Sequence, residues 1–369
     1  MAPAPDARPA CLVTGIVSPY RREPFRLLAA TEGLEVIAFA EAGPPVPGLT
    51  VHRTTQAGAV RLAASGRYRA VISGLGGRLA LPGSYLAARA RGVPFVLWAT
   101  IWAHPRTPAH ALSYLPTRHL YRTADAVITY GDHVSRYVES HRGDRGAVFV
   151  APQAVDVAHF GAPVADAARL AARRRGGAGQ DDVLVLYVGR LEQEKGVQVL
   201  LDAWRRAALG PNVRLALAGA GAAASAAAEV PGAKLLGHVS EADLPALYAA
   251  ADVLVLPSIR TATFTEPWGL VVNEAMLQRT PPIVSDAVGA AAGGLVRDGQ
   301  NGLVFQAGDA GALADRLSAL AEDPGARTAL GARAREDALL LTPAAWAAGV
   351  SAALGAAGAG ARRNGGDSC

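Results

Sequence analysis

A chain of 369 residues is longer than the size at which one hydrophobic core keeps growing, so two domains are expected. The formal net charge of +5 is mild for this length. It suits anionic substrates or a loose attraction to anionic lipid, and with no recognisable motif it argues against sequence-specific nucleic-acid binding. Only two cysteines are present, which excludes a disulfide framework and favours a reducing cytoplasm.

The N-terminus lacks the basic start and the long apolar run of a signal peptide. No stretch reaches the roughly 18 apolar residues of a spanning helix. A cytoplasmic location is therefore predicted, with peripheral contact at the inner face of an anionic membrane as an open alternative. That alternative depends on basic helices in the first half, although a solvated basic surface explains them as well. Their arginines are Arg21, Arg22, Arg26, Arg61, Arg67 and Arg69.

Strands and helices alternate along the first half of the chain, which predicts a parallel, doubly wound α/β sheet. Short apolar runs predict strands at 11–16, 34–40, 70–73, 94–99, 126–130 and 147–150. Helices are predicted at 24–31, 59–69, 84–91, 111–124 and 132–140.

Residues 161–182 combine a basic helical segment with a Gly-rich, acidic stop, and the domain boundary is predicted there, with domains at 1–175 and 176–341. The second half repeats the alternation of strand and helix. Its strands are predicted at 183–188, 213–218, 234–236, 252–256, 282–285 and 302–305. Helix 342–358 is expected to return to the N-terminal domain, and 359–369 to be disordered.

The segment TEPWGLVVNEAM at 265–276 is the most informative stretch. It predicts a helix that begins near Pro267 or Trp268, with Glu266 in the preceding loop and Glu274 on the second turn. Gly269 allows the backbone to approach a ligand, and the first amides of such a helix suit an anion. Two carboxylates around a phosphate-ready helix end fit a nucleotide-sugar, although an ordinary amphipathic helix with an acidic start would give the same pattern.

A second motif, VGRLEQEKG at 188–196, follows a predicted strand. Arg190 supplies a bidentate fork and Lys195 a movable point charge, so the two can converge on a diphosphate. A solvated loop with ion pairs such as Arg190–Glu192 is the alternative. The position at a strand carboxyl end favours a ligand, because parallel sheets bind their ligands there.

Together with LGHVSEADLPALYAAADVLVLPS at 236–258 and GGLVRDGQNGLVF at 293–305, these motifs resemble the C-terminal domain of the retaining glycosyltransferases of family four. The resemblance covers about residues 183–310. It implies the GT-B fold, in which two Rossmann-like, doubly wound domains face each other across a cleft. The N-terminal domain would then be the acceptor side and the C-terminal domain the nucleotide-sugar side.

The resemblance also implies roles for individual residues. Arg190 and Lys195 should bind the donor diphosphate, Glu274 the ribose hydroxyls, and Glu266 the sugar near its 3-hydroxyl. Glu266, Arg190, Lys195 and His104 form the predicted catalytic set. The remaining predicted donor contacts, several of them through backbone, are Gly15, Gly189, Val239, Trp268, Gly269, Leu270 and Val271.

The N-terminal half departs from the family pattern. TGIVSPYRREPF contains only Gly15 and no glycine pair, which puts the phosphate contact of that loop in doubt. His104 is the best match for the histidine that many relatives place near the donor sugar. Trp98, Trp102 and His104 fit a sugar-stacking wall, and a buried aromatic patch explains the tryptophans equally well.

The predicted function is the transfer of a sugar from a UDP- or GDP-linked donor to an acceptor hydroxyl, with the retention that the resemblance implies. The acceptor would belong to glycan, glycolipid or natural-product biosynthesis. No metal-ligand spacing is present, so neither a metal nor another cofactor is expected, the nucleotide-sugar being a co-substrate. A sugar-nucleotide epimerase, a phosphorylase and a non-catalytic sugar-nucleotide-binding protein on the same scaffold remain alternatives.

Overall fold

A computed structural model describes residues 6–105 and 107–366, without the side chains of 108–111, 144 and 361–366. The chain forms two compact units. The first unit comprises the chain up to Ala154 together with the segment that begins at Thr342, and the second unit is Val155–Leu341.

The first unit is built on a parallel seven-stranded sheet with strand order β3-β2-β1-β4-β5-β6-β7. Its strands are β1 (Ala10–Ile16), β2 (Glu35–Glu41), β3 (Thr50–Arg53), β4 (Ala70–Gly74), β5 (Phe95–Trp98), β6 (Ala126–Thr129) and β7 (Val148–Val150). The helices between them are α1 (Arg22–Glu32), α2 (Gln56–Ala63), α3 (Ala80–Arg91), α4 (Pro108–Thr123) and α5 (Asp132–Arg142).

The second unit repeats this plan with a parallel six-stranded sheet in the order β10-β9-β8-β11-β12-β13. Its strands are β8 (Val183–Val188), β9 (Val213–Ala218), β10 (Ala233–Gly237), β11 (Val253–Leu256), β12 (Pro282–Ser285) and β13 (Leu303–Phe305). Its helices are α6 (Val157–Phe160), α7 (Asp166–Arg175), α8 (Val197–Ala207), α9 (Ala224–Ala228), α10 (Leu244–Ala250), α11 (Leu270–Leu277), α12 (Gly289–Ala292), α13 (Ala310–Glu322) and α14 (Pro324–Ala338).

Both strand orders are those of a Rossmann-like sheet. Successive strands are added first on one side of the first strand and then on its other side, so the strand order reverses there. The central strand β8, VLVLYV, is buried at every position, as expected for a strand covered by helices on both faces. The predicted alternation of strands and helices in both halves is therefore confirmed.

The last helix, α15 (Pro343–Gly366), belongs to the first unit. It packs on α1, and its fully buried Trp346 lies 5.5 Å from the rings of both Phe25 and Trp98. Gly349 allows close approach, since a Cβ there would lie 2.3 Å from the carbonyl oxygen of Val150. The helix is described as far as Gly366, and 367–369 lie outside the described residues. The disorder expected from residue 359 stays a prediction.

The units divide at Ala154 and Val155, earlier than the boundary predicted between residues 175 and 176. The basic helix α7, assigned by sequence to the first domain, packs on α10 of the second unit. Its Arg173 is buried, where it donates to the carbonyl of Ala250 at 2.7 Å and pairs with Asp252 at 2.9 Å. These long-range partners override the local signal of the Gly-rich stop that follows α7.

Among the described residues, no single helix has both the length and the apolar composition needed to cross a membrane. The bent pair of α14 with the 343–360 part of α15 reaches that length and composition only when the two are counted together.

Candidate active site

In the second sheet, β8 and β11 are neighbours, and their carboxyl ends open on the same side. The crossovers from β8 lead outward to β9 and β10, whereas those from β11 lead to β12 and β13. A crevice at such a reversal point is where open α/β sheets bind ligands. The predicted Gly189 and Arg190 follow β8 here, and Ser258 follows β11.

Glycines let the loops after β8 and β9 approach each other. A Cβ on Gly219 would lie 1.8 Å from the carbonyl oxygen of Gly189, and one on Gly221 would lie 2.5 Å from that of Leu191. Both glycines also have positive φ, a conformation that side chains disfavour. The loop that carries Arg190 is thus set by backbone packing that only glycine permits.

The turn that carries Lys195 is fixed by Gly196. This glycine has φ +70° and would place a Cβ 1.8 Å from the carbonyl oxygen of Pro257, so it brings the short 3-10 turn Gln193–Lys195 against the end of β11. The amide of Ile259 donates to the carbonyl of Glu194 at 3.0 Å and ties the two loops together.

Lys195 and Glu266, which are both predicted to bind the donor, contact each other. The Nζ of Lys195 donates to Oε2 of Glu266 at 2.5 Å, and the side chains are only 17% and 8% exposed. The Oγ of Ser258 donates to the same carboxylate oxygen at 3.1 Å, and the Lys195 ammonium lies 5.0 Å from the ring centre of Phe264. This is a partly dehydrated cation beside a carboxylate, at the mouth of the sheet.

Arg190 has a different partner from the other site cation. Its Nη2 donates to Oε1 of Glu194 at 2.7 Å, and its side chain is 60% exposed. The backbone is held instead, because the hydroxyl of Tyr187 donates to the carbonyl of Arg190 at 2.6 Å. Burial and the nearby Glu266 raise the pKa of Tyr187, which therefore stays a hydrogen-bond donor. The loop alternative was right that Arg190 forms a local ion pair, with Glu194 rather than Glu192.

Helix α11 begins at Leu270, later than the predicted start near Pro267 or Trp268. The reason is Gly269, which has φ +93° and cannot be part of a right-handed helix in this conformation. A Cβ on Gly269 would lie 2.6 Å from a methyl carbon of Leu256. No side chain caps the helix, and the half-buried Leu270 and Val271 carry its first amides. An uncapped N-terminus supplies N–H donors and a positive dipole end to an anion.

The loop between Glu266 and α11 is held by backbone hydrogen bonds. The amide of Gly289 donates to the carbonyl of Glu266 at 3.1 Å, and that of Ala290 to the carbonyl of Trp268 at 2.8 Å. The ring of Trp268 is buried, and its Nε1 donates to Oδ1 of Asn273 at 2.8 Å. The indole is therefore a core element, which leaves only the backbone of Trp268 for the predicted donor contact.

Glu274 lies further along α11, and its hydrogen-bond partner is separate from the Lys195–Glu266 pair. The hydroxyl of Tyr248 donates to its Oε2 at 2.6 Å. Glu274 remains partly exposed, yet burial raises the pKa of its carboxyl group to about 7, against the opposing effect of the Tyr248 hydrogen bond. Val239 is buried two residues beyond Gly237, and its backbone contact with the base stays a prediction.

The predicted residues of the first unit lie at the ends of its own strands. Gly15 is in β1, and the half-buried His104 follows β5 with its ring centre 5.2 Å from that of Tyr114. Trp102 contacts His133, whereas Trp98 packs on Phe25, Tyr130 and Trp346. Trp98 thus belongs to an aromatic cluster of the first core, as the alternative interpretation held, and the contact of His104 with a donor sugar stays a prediction.

Sequence reasoning missed four residues that shape this site, namely Tyr187, Glu194, Tyr248 and Ser258. Three of them stand inside the motifs that carry the family resemblance. A hydroxyl in an otherwise apolar strand or helix, such as Tyr187 in VLVLYV or Tyr248 in PALYAAA, is a signal that could have found two. The hydroxyl of Tyr248 donates to Glu274 on another helix, a contact that local pattern cannot predict, whereas the partners of the other three side chains lie within eight positions in the chain.

Within the part of the chain that the structure describes, no group of three or more His, Cys, Asp and Glu side chains is placed to hold a metal ion. The arrangement instead offers two cations, a helix N-terminus and two carboxylates. Fixed cations and amides can stabilise a developing anion, and carboxylates can accept hydrogen bonds from sugar hydroxyls.

Residues 169–337 match the family described as glycosyl transferases group 1. The matched range lies within the second unit. The D-inositol 3-phosphate glycosyltransferase of Xylanimonas cellulosilytica is 37% identical over 214 residues, which cover 54% of this chain and 48% of that protein. The alpha-D-kanosaminyltransferase of Streptomyces kanamyceticus is 28% identical over 65% of this chain and 64% of its own length.

The chain spans about half the length of the D-inositol 3-phosphate glycosyltransferases that it matches. Among solved structures, HepE of Anabaena in complex with UDP and glucose superposes with a TM-score of 0.74 and 20% identity, over 94% of this chain and 99% of that one. WaaG, a glycosyltransferase involved in lipopolysaccharide biosynthesis, gives a TM-score of 0.64 at 16% identity, over 89% and 95%. The two Rossmann-like units thus have the GT-B fold, and the predicted fold class is confirmed.

Proposed function

We propose that this chain transfers a sugar from a nucleoside-diphosphate donor to an acceptor hydroxyl, with retention of anomeric configuration and without a metal ion. The observation that carries the proposal is the Lys195–Glu266 pair beside the uncapped, Gly269-opened start of α11. The pair lies at the reversal point of a sheet within a glycosyltransferase domain. Support for the nucleotide-sugar comes from the HepE structures, which hold UDP, UDP with glucose, or UDP-glucose.

Both site cations already hold an exchangeable anion. Lys195 pairs with Glu266, and Arg190 pairs with Glu194. An arriving diphosphate displaces these carboxylates from the cations, so the donor inherits two charge-assisted contacts without leaving a cation unpaired. Glu266, once released from Lys195 and still held by Ser258, can accept a hydrogen bond from a sugar hydroxyl.

The chemistry asked of these residues is stabilisation of the leaving group. The bond between the anomeric carbon and the diphosphate oxygen breaks, and the diphosphate keeps the electron pair. The acceptor oxygen forms the new bond on the same face, and its proton passes to the departing phosphate oxygen. Lys195, Arg190 and the first amides of α11 bind the negative charge that develops, which is the kind of contribution that costs about 10²–10³ in rate when one donor is removed.

Glu274 is proposed to bind the ribose. Its carboxylate already accepts the Tyr248 hydroxyl and has lone pairs left for two neighbouring sugar hydroxyls. Hydroxyl donors favour the ionised carboxylate, whose pKa in the free protein is about 7. Donor affinity should therefore be weaker at pH 6 than at pH 8.

A thermal-shift panel of UDP-, GDP-, ADP- and TDP-sugars tests the donor. One nucleotide class should raise the unfolding temperature of the full chain, because a ligand that binds only the native state stabilises it by mass action. Arg190→Ala should reduce that shift while leaving the ligand-free unfolding temperature nearly unchanged, since an exposed ion pair contributes under about 1 kcal/mol. Arg205→Ala is the matched control, because Arg205 forms a similar exposed pair with Asp202 on α8.

The same panel separates the alternatives. A transferase with its matching donor should release nucleoside diphosphate only when an acceptor is present, apart from slow hydrolysis. Conversion of the donor without any acceptor would indicate an epimerase, and dependence on free phosphate would indicate a phosphorylase. If none of the four nucleotide classes stabilises the protein, the proposed function is wrong.

A further inference from the structure

The first unit contains a cavity of about 210 Å³ at its own reversal point, between the carboxyl ends of β1 and β4. The cavity is smaller than the ~300–1,000 Å³ of typical drug-sized sites, so it suits a small ligand. Its walls are the ends of β1, β4 and β5 and the turn that precedes α1. The lining residues on which the inference depends are Thr14, Tyr20, Arg21, Gly76, Trp98 and Tyr130.

Arg21 occupies this cavity wall as a buried cation. The short 3-10 turn Pro19–Arg21 places it there, and only 4% of the residue is exposed. Its guanidinium carbon lies 4.4 Å from the ring centre of Trp98 and 4.9 Å from that of Tyr20. Its Nη2 donates to the hydroxyl of Tyr130 at 3.0 Å. The sequence had placed Arg21 on an exposed basic surface, and the structure corrects this.

The other two buried arginines of the described chain show what a structural arginine has here. Arg142 donates to the carbonyls of Gly146, Tyr121 and Ala124. Arg173 likewise donates to three carbonyls and pairs with a carboxylate. Each of these guanidinium groups donates hydrogen bonds to at least three oxygen acceptors, as a buried charge requires.

Arg21 has one phenolic acceptor for its five N–H donors. Among the residues that line the cavity, it is the only charged one, and no Asp or Glu stands opposite it. Aromatic faces stabilise a cation but accept no strong hydrogen bond. The arrangement therefore leaves a fixed positive charge and unused donors facing an open cavity, which is the complement of an anion.

The rest of the lining includes residues that can hydrogen-bond a ligand and residues that leave space for one. Four residues with hydroxyl groups, Thr14, Ser18, Tyr20 and Thr100, line the cavity together with Gly74 and Gly76. A Cβ added to either glycine would meet nothing within 4 Å, so the space beside them is open. Such groups suit a ligand with several hydroxyls, and the Trp98 ring provides an apolar face.

We propose that this cavity binds a small polyhydroxylated molecule that carries a phosphate or a carboxylate, with the anionic group on Arg21. The inference deepens the proposed function and rests on it in one respect, since it assigns this molecule as the sugar acceptor or as the anionic end of the acceptor. The residues that line the cavity all belong to the first unit.

Calorimetry on the full chain without nucleotide tests the binding. The probes are glucose 6-phosphate, glucuronate, inorganic phosphate and, as the neutral control, glucose. One of the two anionic sugars should bind about 10–100-fold more tightly than glucose, the range expected for a hydrogen-bonded charge. Tight binding of the phosphate ester or of glucuronate identifies the anionic group, and quenching of Trp98 fluorescence should accompany it.

Two variants of this cavity make the test specific. Arg21→Met should abolish the preference for the anionic sugar, and Arg26→Met, on the exposed face of the neighbouring helix α1, should leave it unchanged. Gly76→Val should weaken the binding of all the sugars by filling the open space, and it leaves Arg21 and its aromatic neighbours unchanged. If Arg21→Met fails to fold, Gly76→Val still tests whether the sugars bind in this cavity.

Nucleotide-sugar stabilisation, measured on the same variants, monitors the second unit independently. Loss of anion binding with retained nucleotide stabilisation supports the inference. If neither anionic sugar binds the wild-type chain better than glucose, or if folded Arg21→Met retains the preference, Arg21 is structural and the inference is wrong, whatever the nucleotide panel shows.

Discussion

The two sheets present a cation at the same topological position, beside the first strand where the strand order reverses. In the second unit Lys195 is paired with Glu266, and Arg190 with Glu194. In the first unit Arg21 stands among aromatic rings with no carboxylate in its cavity. The cation at this position is thus paired with a carboxylate in the second unit and enclosed by aromatic rings in the first.

The difference indicates two kinds of ligand exchange. A cation paired with a carboxylate can release it for a diphosphate and take it back after the diphosphate leaves, which suits a donor that is cleaved in every cycle. A cation held by aromatic rings keeps its full charge toward the cavity, which suits a ligand whose anionic group is not altered. The predictions below separate these two positions, in order of expected effect.

Replacing Lys195 should give the largest effect. Lys195→Ala should lower the turnover of the matching donor and acceptor by about 10²–10³, because it removes a fixed cation from the leaving diphosphate. Steady-state kinetics measure the loss. Lys234→Ala is the natural control, since Lys234 is the only other lysine in the sequence and is exposed on β10. Normal turnover in Lys195→Ala, or an equal loss in both variants, would remove Lys195 from the site.

Gly196→Ala should destabilise the second unit by roughly 3 kcal/mol or more. The new Cβ would collide with the backbone of Pro257, and φ +70° is strained for alanine. Denaturant unfolding measures the effect. Gly355→Ala in α15 is the control, because a Cβ there meets nothing within 4 Å, and alanine in a helix should be neutral or stabilising by about 0.5–1 kcal/mol. Equal stability of the two variants would contradict the close packing at β11.

The smallest effect concerns Glu274 and pH. Its pKa is raised from 4.5 to about 7 in the folded chain, so between these values the folded state binds more protons than the unfolded state. The free energy of unfolding should therefore fall as pH rises from about 4.5 to 7, by up to roughly 3 kcal/mol at about 1.4 kcal/mol per pKa unit. Glu274→Gln should remove this decline, whereas Glu322→Gln at the end of α13 should retain it. A decline that persists in Glu274→Gln would assign it to other groups.

The membrane hypothesis becomes weaker once the arginines of the first unit are placed. Arg21 is buried, and Arg26, Arg67 and Arg69 are paired with Glu23, Glu35 and Glu32. The sequence shows the charges of a segment but not their partners, and two of these three carboxylates, Glu35 and Glu32, come from elements other than those of their arginines.

The sequence by itself determined the two parallel sheets and the positions of the second-unit motifs. Strand periodicity, glycine and proline act over a few residues, so they can be recognised in VGRLEQEKG and TEPWGLVVNEAM without a structure. The family resemblance that these motifs carry also implied that Lys195 and Glu266 bind the same donor.

Only the tertiary structure decided which groups face each other. The partners of Lys195, Glu274 and Arg173 and the burial of Arg21 depend on contacts between segments distant in the chain. An arginine in SPYRREPF has the same local pattern whether it is solvated or enclosed. Arg21 is enclosed because Trp98, Tyr130 and Trp346, from three other parts of the first unit, surround its guanidinium.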